Sequence, residues 1–416
     1  MKKCILNLIL IIFTLSCLVH AQQIKKEGDH FKAKIENSYP VKPGGTLELK
    51  SVKSDVRIES WENSSVQIIQ NIEMDVYTQD EAEEIVERMK GNTEIDGNTV
   101  RIKGLDGKSW INGDYEIKVP SKFTLDIKLA AGDVTIEGVT GDHTISTAGG
   151  DIVLNDLAGV ISVNTAGGDF SFSDISGRLS AKTSGGDVNL ENIFAEADIK
   201  TSGGDIIVKH STNRLNANTS GGDILIEEAD GSVNAATSGG DIKVDDFKGD
   251  QLSLHTNGGD IELVGIHGVM SANTNGGDIS GRNFTGQIQA MTNGGDISLR
   301  DVKAPATAAN TGGDIELEIT LTDFSKPHNI NLKSTAGDIT LILPEKLPAT
   351  ITAEIQQFGK KSADERGDIY SDFPLTKSVD DETGGKIIRS TGKINGGGDA
   401  IDIRVQSGDI YIKKSK

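Results

Sequence analysis

A short phrase, Thr-x-Gly-Gly-Asp followed by an apolar residue, recurs in register from Ala131 to about Leu317. Its aspartates are separated by 18 residues in nine of ten intervals, and by 19 in the one interval that contains Lys248–Asp250. A period this regular indicates that each repeat is one structural unit stacked on the next. No other feature of the sequence restricts the possible folds as strongly.

Within each repeat, apolar and polar residues alternate as they do in strands with one buried face. The repeat that begins at Asp187 has apolar residues at Val188 and Leu190 and again at Ala197 and Ile199. Strands this short cannot bury a core alone, but equivalent strands stacked about 4.8 Å apart can. The sequence therefore predicts an all-β chain built around a single-stranded β-solenoid (β-helix) with 18 residues in most coils. A set of antiparallel hairpins is the alternative.

Two columns of the repeat are predicted to be structural. The threonine before each glycine pair continues the buried alternation, so its hydroxyl should bond a neighbouring threonine or a corner carbonyl. The glycines indicate a corner that needs positive φ or close approach between coils. A phosphate-binding loop would need a helix after the glycines, whereas a strand follows here. The threonines are Thr147, Thr165, Thr183, Thr201, Thr219, Thr237, Thr256, Thr274 and Thr292.

The aspartate column allows two interpretations. Carboxylates about 5 Å apart repel by somewhat under 1 kcal/mol per neighbour in water, so something must offset this repulsion. Each carboxylate could accept backbone N–H groups at its corner, as aspartates do in turns. Alternatively, calcium ions could bridge the carboxylates; no other metal or cofactor is indicated. The calcium ladder would comprise Asp151, Asp169, Asp187, Asp205, Asp223, Asp241, Asp260, Asp278 and Asp296.

The first 21 residues are predicted to be a signal peptide, because two lysines precede an apolar run and cleavage before Gln22 fits its end. Both cysteines, Cys4 and Cys17, lie in this segment, so the mature chain would have no thiol. Lipid attachment at Cys17 is the alternative, although Thr14 stands where a lipobox has an aliphatic residue. No later apolar run is long enough for a membrane span. The chain is therefore expected in the periplasm, at the cell surface or secreted.

The mature chain is predicted to have three parts. Residues 22–120 form a small N-terminal β-rich capping domain with one helix, Gln79–Met89, which is acidic at its start and basic at its end. Residues 121–343 form the solenoid. Residues 344–416 form a C-terminal cap, which contains a charged loop at Gly359–Asp381 and closes on another Gly-Asp-Ile phrase.

Composition excludes several classes of function. The formal net charge of −20 argues against binding to nucleic acid, and the 4% aromatic content fits a narrow solenoid better than a large globular core. The histidines occupy unrelated positions in the repeat, and neither a zinc-protease motif nor a nucleophile elbow occurs. Carbohydrate-cleaving β-helices usually build a groove from long loops, which these coils lack. We therefore expect a protein that is not an enzyme.

The repeat phrase also carries a family resemblance. Its form, T-[SAN]-G-G-D-[IVF], occurs at Thr201–Ile206, with P-G-G-T-L at Pro43–Leu47 and S-G-D-I-Y-I at Ser407–Ile412. In these respects the chain resembles a bacterial putative adhesin family with a β-strand-repeat domain of unknown function. Head domains of putative autotransporter adhesins are related to it. The resemblance implies an exported β-solenoid and supplies no catalytic or ligand-binding residue. The chain departs from the repeat in the 24-residue step from Asp314 to Asp338.

These features predict a monomeric, exported, adhesin-like solenoid that presents a rigid repetitive surface to a glycan or protein at the cell envelope. Shallow polar positions suit weak multivalent contact. A structural scaffold without a specific ligand fits the same pattern, and a carbohydrate-active β-helix enzyme is a third alternative. The predicted outward positions are Ser162, Asn164, Lys182, Lys200, Asn216, Asn218 and Asn234.

Overall fold

A computed structural model describes residues 24–104, 111–358, 367–382 and 385–415. The predicted signal peptide, including Cys17, lies outside the described residues. The chain divides into two compact units, residues 1–141 and 142–416. Strands dominate both units and one helix occurs among the described residues, which confirms the predicted all-β class with a single helix.

The first unit combines this helix with ten described strands. The helix is α1 (Gln79–Lys90). The strands are β1 (Ile24–Glu27), β2 (His30–Pro40), β3 (Gly45–Lys53), β4 (Asp55–Trp61), β5 (Ser65–Met74), β6 (Thr93–Asp96), β7 (Thr99–Lys103), β8 (Ile111–Pro120), β9 (Phe123–Ala131) and β10 (Val134–Glu137).

The helix begins with a capping box, which accounts for its position. The Thr78 hydroxyl accepts the N–H of Glu81 at 3.3 Å, and the Glu81 carboxylate accepts the N–H of Thr78 at 3.2 Å. Its apolar face buries Ile85 and Val86. The acidic residues of the first turn and the basic residues of the last turn stabilise the helix, because their charges are opposite to the partial charges at those helix ends. The helix predicted at Gln79–Met89 is confirmed and ends one residue later.

Strands of the first unit also form parallel coils. Strand β3 pairs in parallel with both β7 and β9, and β4 pairs in parallel with both β8 and β10. The β3–β4 coil thus lies between two coils that both follow it in the chain. Strand β5 adds an antiparallel pairing to β2 and β8. The sequence period did not reveal these coils within 22–120, because β5, α1 and β6 separate them along the chain.

The second unit contains the regular repeat. Its strands are β11 (Thr140–Ser146), β12 (Ile152–Asn164), β13 (Phe170–Lys182), β14 (Val188–Lys200), β15 (Ile206–Ser211), β16 (Leu215–Asn218), β17 (Ile224–Ala229), β18 (Val233–Ala236), β19 (Ile242–Phe247), β20 (Gln251–His255), β21 (Ile261–Ile266), β22 (Val269–Asn273), β23 (Ile279–Phe284), β24 (Ile288–Met291), β25 (Ile297–Val302), β26 (Ala306–Asn310), β27 (Ile315–Ile319), β28 (Ile330–Ala336), β29 (Ile339–Leu343), β30 (Ala349–Phe358), β31 (Ile369–Ser371), β32 (Thr376–Glu382), β33 (Gly385–Ile394), β34 (Asp399–Ser407) and β35 (Ile410–Lys414).

Equivalent strands of successive repeats pair in parallel and in register. Ile224 lies opposite Ile206 of the preceding repeat and Ile242 of the following one. The second strands do the same, since Ala235 lies opposite Ala217. This parallel register confirms the β-solenoid and excludes the antiparallel hairpins for these repeats.

The alternating apolar residues line the interior of the coils, where most are fully buried. Burial of one branched apolar side chain contributes about 1.5–3 kcal/mol to the stability of the fold, and every coil adds several such side chains. A large core side chain is accommodated beside a small one. Gly281 occupies the inward position between Leu263 and Leu299, and the ring of Phe284 fills the space that a side chain at residue 281 would occupy. A Cβ on Gly281 would lie 2.6 Å from that ring. The core therefore holds an occasional large aromatic without widening the coil.

Each regular coil bends at the fifth residue after its aspartate, and this residue has positive φ. Among non-glycine residues, φ at this position ranges from 51° at Asp301 to 62° at Asn283. Short polar side chains tolerate this left-handed conformation better than most. The column comprises Asp156, Asp174, Asn192, His210, Glu228, Asp246, Gly265, Asn283 and Asp301.

The last strands are stacked out of chain order. Strand β34 pairs in parallel with β28 on one side and β30 on the other, and β35 lies between β29 and β31. The β34–β35 coil is therefore inserted between two coils that both precede it in the sequence. Parallel stacking thus continues beyond residue 343, the predicted end of the solenoid.

The predicted loop at Gly359–Asp381 is wrong for part of its length. Residues 359–366 lie outside the described residues, but Ile369–Ser371 and Thr376–Glu382 are strands. The second of these pairs antiparallel with β33, and β33 in turn pairs antiparallel with β30. Long-range pairing with these partners outweighs the high charge of the segment, which had favoured a loop.

Candidate functional site

The inward threonines join each corner to the preceding one. The Thr219 hydroxyl donates to the carbonyl of Gly204 at 2.9 Å and accepts the N–H of Gly222 at 3.3 Å. The same two bonds recur from Thr165 to Thr292. All nine predicted threonines are buried. The inward orientation and the bond to a corner carbonyl are therefore confirmed.

The two glycines of a corner have different roles. A Cβ on Gly222 would lie 2.1 Å from the carbonyl oxygen of Gly204 in the preceding coil. At Gly221 the nearest atom would be 3.7 Å away, which is ordinary contact. Neither residue has positive φ. Of the two reasons given for the glycines, close approach between coils is the correct one here, and it applies to the second glycine.

The nine predicted aspartates form one exposed row that is bonded to the backbone. Each Oδ1 accepts the N–H of the equivalent aspartate in the next coil at 2.7–2.8 Å, as Asp205 does from Asp223. The row continues past the regular repeat, because Asp338 accepts from Asp409 and Asp409 accepts from Asp368. The predicted backbone hydrogen bonding of the aspartates is confirmed, although the donor lies in the neighbouring coil.

The calcium ladder stays a prediction. The structure brings all nine proposed ligands into one line and leaves their side chains exposed. Within the described ranges, however, no three His, Asp or Glu side chains converge on a point where a metal ion could bind. One oxygen of each carboxylate is already committed to an N–H group, so a bridging cation would have to use the second oxygen.

A second feature of possible function is the outward face of the second strands. The predicted outward residues are all half-buried or exposed, so their orientation is confirmed. Asn216 lies opposite Asp198 in one neighbouring coil and Asn234 in the other. Further along, Asn234 is followed by Ser253 and then Ser271. The face is thus a grid of polar side chains held at fixed spacing by the backbone beneath them.

Two pKa shifts in residues 142–416 are caused by hydrogen bonds to nearby side chains. The Tyr411 hydroxyl donates to the Asp409 carboxylate at 2.9 Å, and this hydrogen bond raises the pKa of Tyr411 to about 12. Hydrogen bonds from the Thr320 hydroxyl and the Lys303 ammonium group lower the pKa of Asp301. Both pKa shifts therefore arise mainly from hydrogen bonds between neighbouring side chains.

Two features were missed from the sequence. The positive-φ column at the bend is visible in hindsight as an excess of Asp, Asn and Gly at one repeat position. The second is an aromatic pair near the inserted coil: the rings of Tyr370 and Tyr411 lie 5.1 Å apart with an 11° angle between planes. No local signal predicts this pair, because β31 and β35 meet only through the out-of-order stacking.

Among solved structures, the chain is similar to three bacterial proteins that cover most of its length. A putative adhesin from Bacteroides fragilis NCTC 9343 is 14% identical, with 74% of this chain and 95% of that chain covered and a TM-score of 0.21. A putative cell adhesion protein from Clostridium sporogenes ATCC 15579 is 9% identical, with 91% and 99% covered and a TM-score of 0.14. A putative adhesin from Parabacteroides merdae ATCC 43184 is 13% identical, with 76% and 99% covered and a TM-score of 0.17.

TM-scores this low support no conclusion about the binding properties of the present chain. No curated protein sequence matches the chain. A family profile described as Toastrack DUF4097 matches residues 45–232 and 209–413, and so spans well over half of the sequence. This match confirms the resemblance to a family with a domain of unknown function. The chain therefore belongs to the Toastrack DUF4097 family.

Proposed function

We propose that this protein is an exported, adhesin-like β-solenoid whose rigid, repetitive outward face binds a glycan or protein at the cell envelope. The observation that carries the proposal is an unbroken row of polar side chains on the second strands. Its members lie directly opposite one another in six successive coils. They are Asp198, Asn216, Asn234, Ser253, Ser271 and Gln289.

A face of this kind favours a repeating ligand. Strands in a parallel stack are about 4.8 Å apart, so an extended polymer would meet a similar polar group at each coil. Each contact is weak, but several contacts on one polymer add because the later ones form at high effective concentration. The corner hydrogen bonds hold the coils in place before binding, which limits the conformational entropy lost on association.

Location at the envelope rests on the predicted signal peptide, and we include it in the proposal. No helix in the described part of the chain is both long and apolar enough to cross a membrane. Mass spectrometry of the mature protein distinguishes the two predicted N-termini. A chain beginning at Gln22 indicates a freely exported protein, and an acylated Cys17 indicates a lipoprotein. We further propose that the protein acts as a monomer and is not an enzyme.

A glycan array and an envelope-protein pull-down with the full chain test the binding proposal. We expect saturable binding that is lost in the double variant Asn216→Ala/Asn234→Ala. The matched control is Ser171→Ala/Asn189→Ala, which removes two exposed polar side chains that face each other on the first strands. This control should bind normally. Absence of saturable binding to any glycan or envelope protein would contradict the proposal and favour a scaffold without a ligand.

A further inference from the structure

The first strands of three successive coils form a shallow surface groove of about 370 Å³. Strands β21, β23 and β25 contribute to it, with Ser280 and Ser298 side by side and Arg282 directly opposite Arg300. Glu262 lies opposite Ser280 at one end of the groove, and Val264 lies opposite Arg282. We call this feature the Arg282 groove.

The two arginines are an unusual pair in this molecule. In the part of the chain that the structure describes, they are the one pair of arginines at directly opposite positions on paired strands. Like charges in this arrangement normally destabilise a sheet. Arg300 is compensated by Glu316, whose Oε1 lies 3.2 Å from its Nε and Nη2. Arg282 is exposed and forms no ion pair with any described residue. The groove therefore holds an uncompensated cation in a chain of net charge −20.

The donors around Arg282 suit a single carboxylate. Guanidinium groups bind carboxylates through two parallel N–H bonds, a geometry that an ammonium group cannot supply. The hydroxyls of Ser280 and Ser298 make no hydrogen bond to other described residues and can donate to the same ligand. Arg300 keeps its Nη1 group for a further bond, because Glu316 engages its other two nitrogens.

The remaining lining indicates what kind of molecule would carry that carboxylate. Glu262 lies beside Ser280 at one end of the groove, and Glu316 lies beside Ser298 just beyond the other end, so a densely charged polyanion such as nucleic acid would be repelled at both ends. The two carboxylates can instead accept hydrogen bonds from sugar hydroxyls. Glu262 is itself exposed and partly neutralised by Lys243 at 3.0 Å.

A peptide ligand fits the groove less well. Peptides gain affinity mainly from apolar side chains in pockets or by adding a strand to a free sheet edge. The groove offers only the half-buried Val264 as an exposed apolar group, since Leu263 points into the core. Strand β23 is paired on both sides, with β21 and β25, so it has no free edge.

We propose that the Arg282 groove binds a uronic acid residue of an acidic glycan, with its carboxylate on Arg282 and its hydroxyls on the serines and Glu262. This proposal deepens the proposed function and rests on it. It adds a site on the first strands to the polar face on the second strands, and it assigns the ligand to sparsely charged acidic glycans.

Isothermal titration calorimetry of the full chain tests this assignment with a hexagalacturonate that is methyl-esterified on all but one carboxyl group, which we call the mono-acid. We expect binding that weakens at least tenfold in Arg282→Ala and by a smaller factor in Arg282→Lys, which keeps the charge but loses the planar fork. Arg214→Ala is the matched control, because this arginine is also exposed but lies outside the groove and is bonded to Glu196 at 3.0 Å. Its binding should be unchanged. Since Arg282 forms no ion pair with any described residue and faces Arg300, Arg282→Ala should not lower the melting temperature.

Four further ligands identify the source of the carboxylate. Fully methyl-esterified hexagalacturonate, hexaglutamate, a sulfated oligosaccharide and sodium acetate should each bind at least tenfold more weakly than the mono-acid. Equal binding of the ester, the peptide or the sulfated sugar would overturn the assignment, as would unchanged binding in Arg282→Ala. If the chain binds a neutral glycan or a protein but not the acidic glycan, the groove proposal fails while the proposed function stands. If it binds no glycan and no envelope protein, both fail.

Discussion

Replacement of one ladder aspartate separates the two contributions that the carboxylate row makes to stability. Asp205 accepts the N–H of Asp223 and donates its own N–H to Asp187, both at 2.8 Å. Asp205→Asn keeps an acceptor oxygen in place and removes the charge. Asp205→Ala removes both the acceptor and the charge.

The expected free energies follow from this geometry. Unit charges about 4.8 Å apart repel by about 0.9 kcal/mol in water, so either substitution relieves about 1.7 kcal/mol from the two neighbours. A hydrogen bond to a charged oxygen contributes about 1.5–3 kcal/mol, and one to a neutral amide oxygen about 1 kcal/mol. Asp205→Asn should therefore unfold within about 1 kcal/mol of the wild type, and Asp205→Ala should be less stable than Asp205→Asn by about 1 kcal/mol.

Urea unfolding of the full chain, followed by far-ultraviolet circular dichroism, measures these differences. Hydrogen exchange of the Asp223 amide reports on the same coil locally, which matters if the repeats unfold in stages. Added salt should raise the stability of the wild type more than that of either variant, because it screens the repulsion. Equal stability of the Asn and Ala variants would refute the hydrogen-bond argument. A fall in wild-type stability with chelator that is smaller in Asp205→Asn would instead support the predicted calcium ladder.

Three other predictions concern the corners and the C-terminal coils. Gly222→Ala should destabilise the fold by more than about 3 kcal/mol or prevent folding, because its Cβ would lie 2.1 Å from a carbonyl oxygen. Gly221→Ala should cost under about 1 kcal/mol. Equal effects of the two substitutions in thermal melts would contradict the close approach at Gly222. Thr219→Val should cost about 2–3 kcal/mol in urea unfolding, since the Gly204 carbonyl and Gly222 N–H lose their buried partner, and Thr219→Ser should cost about 1 kcal/mol for the methyl group. Tyr411 should ionise late, because its hydrogen bond to Asp409 raises its pKa to about 12. Its contribution to stability is complete below pH about 10 and is lost as pH rises toward 12, and a tyrosinate absorbance titration of Tyr411→Phe should lack one step near pH 12.

The sequence predicted what depends on local periodicity. Alternation around Val188 and Ile199 indicated strands with one buried face, and the constant 18-residue step indicated parallel register; both are present. The inward threonines followed from the same alternation. The order of residues within one repeat is enough to predict these features, because each repeat contacts only its neighbours.

What the sequence did not predict depends on pairing between distant segments. The strand Thr376–Glu382 has a loop-like composition and gains its structure from β33. The pair Tyr370–Tyr411 and the groove of Arg282 and Arg300 arise from stacking, and neither has a recognisable motif. The 18-residue step does place Arg282 and Arg300 in register, so the arginine pair could have been found by comparing outward columns coil by coil.

The inserted β34–β35 coil imposes an order on folding. During synthesis, β30 and β31 emerge before their parallel partners, and the place beside β28 and β29 stays vacant until residues 399–414 arrive. Until then, two parallel strand edges are open at the same time, and open edges recruit strands from other molecules. A chain shortened by these last two strands would therefore be expected to aggregate rather than to lose one coil cleanly. Residues 399–414 therefore complete the pairing of two coils that were synthesised before them.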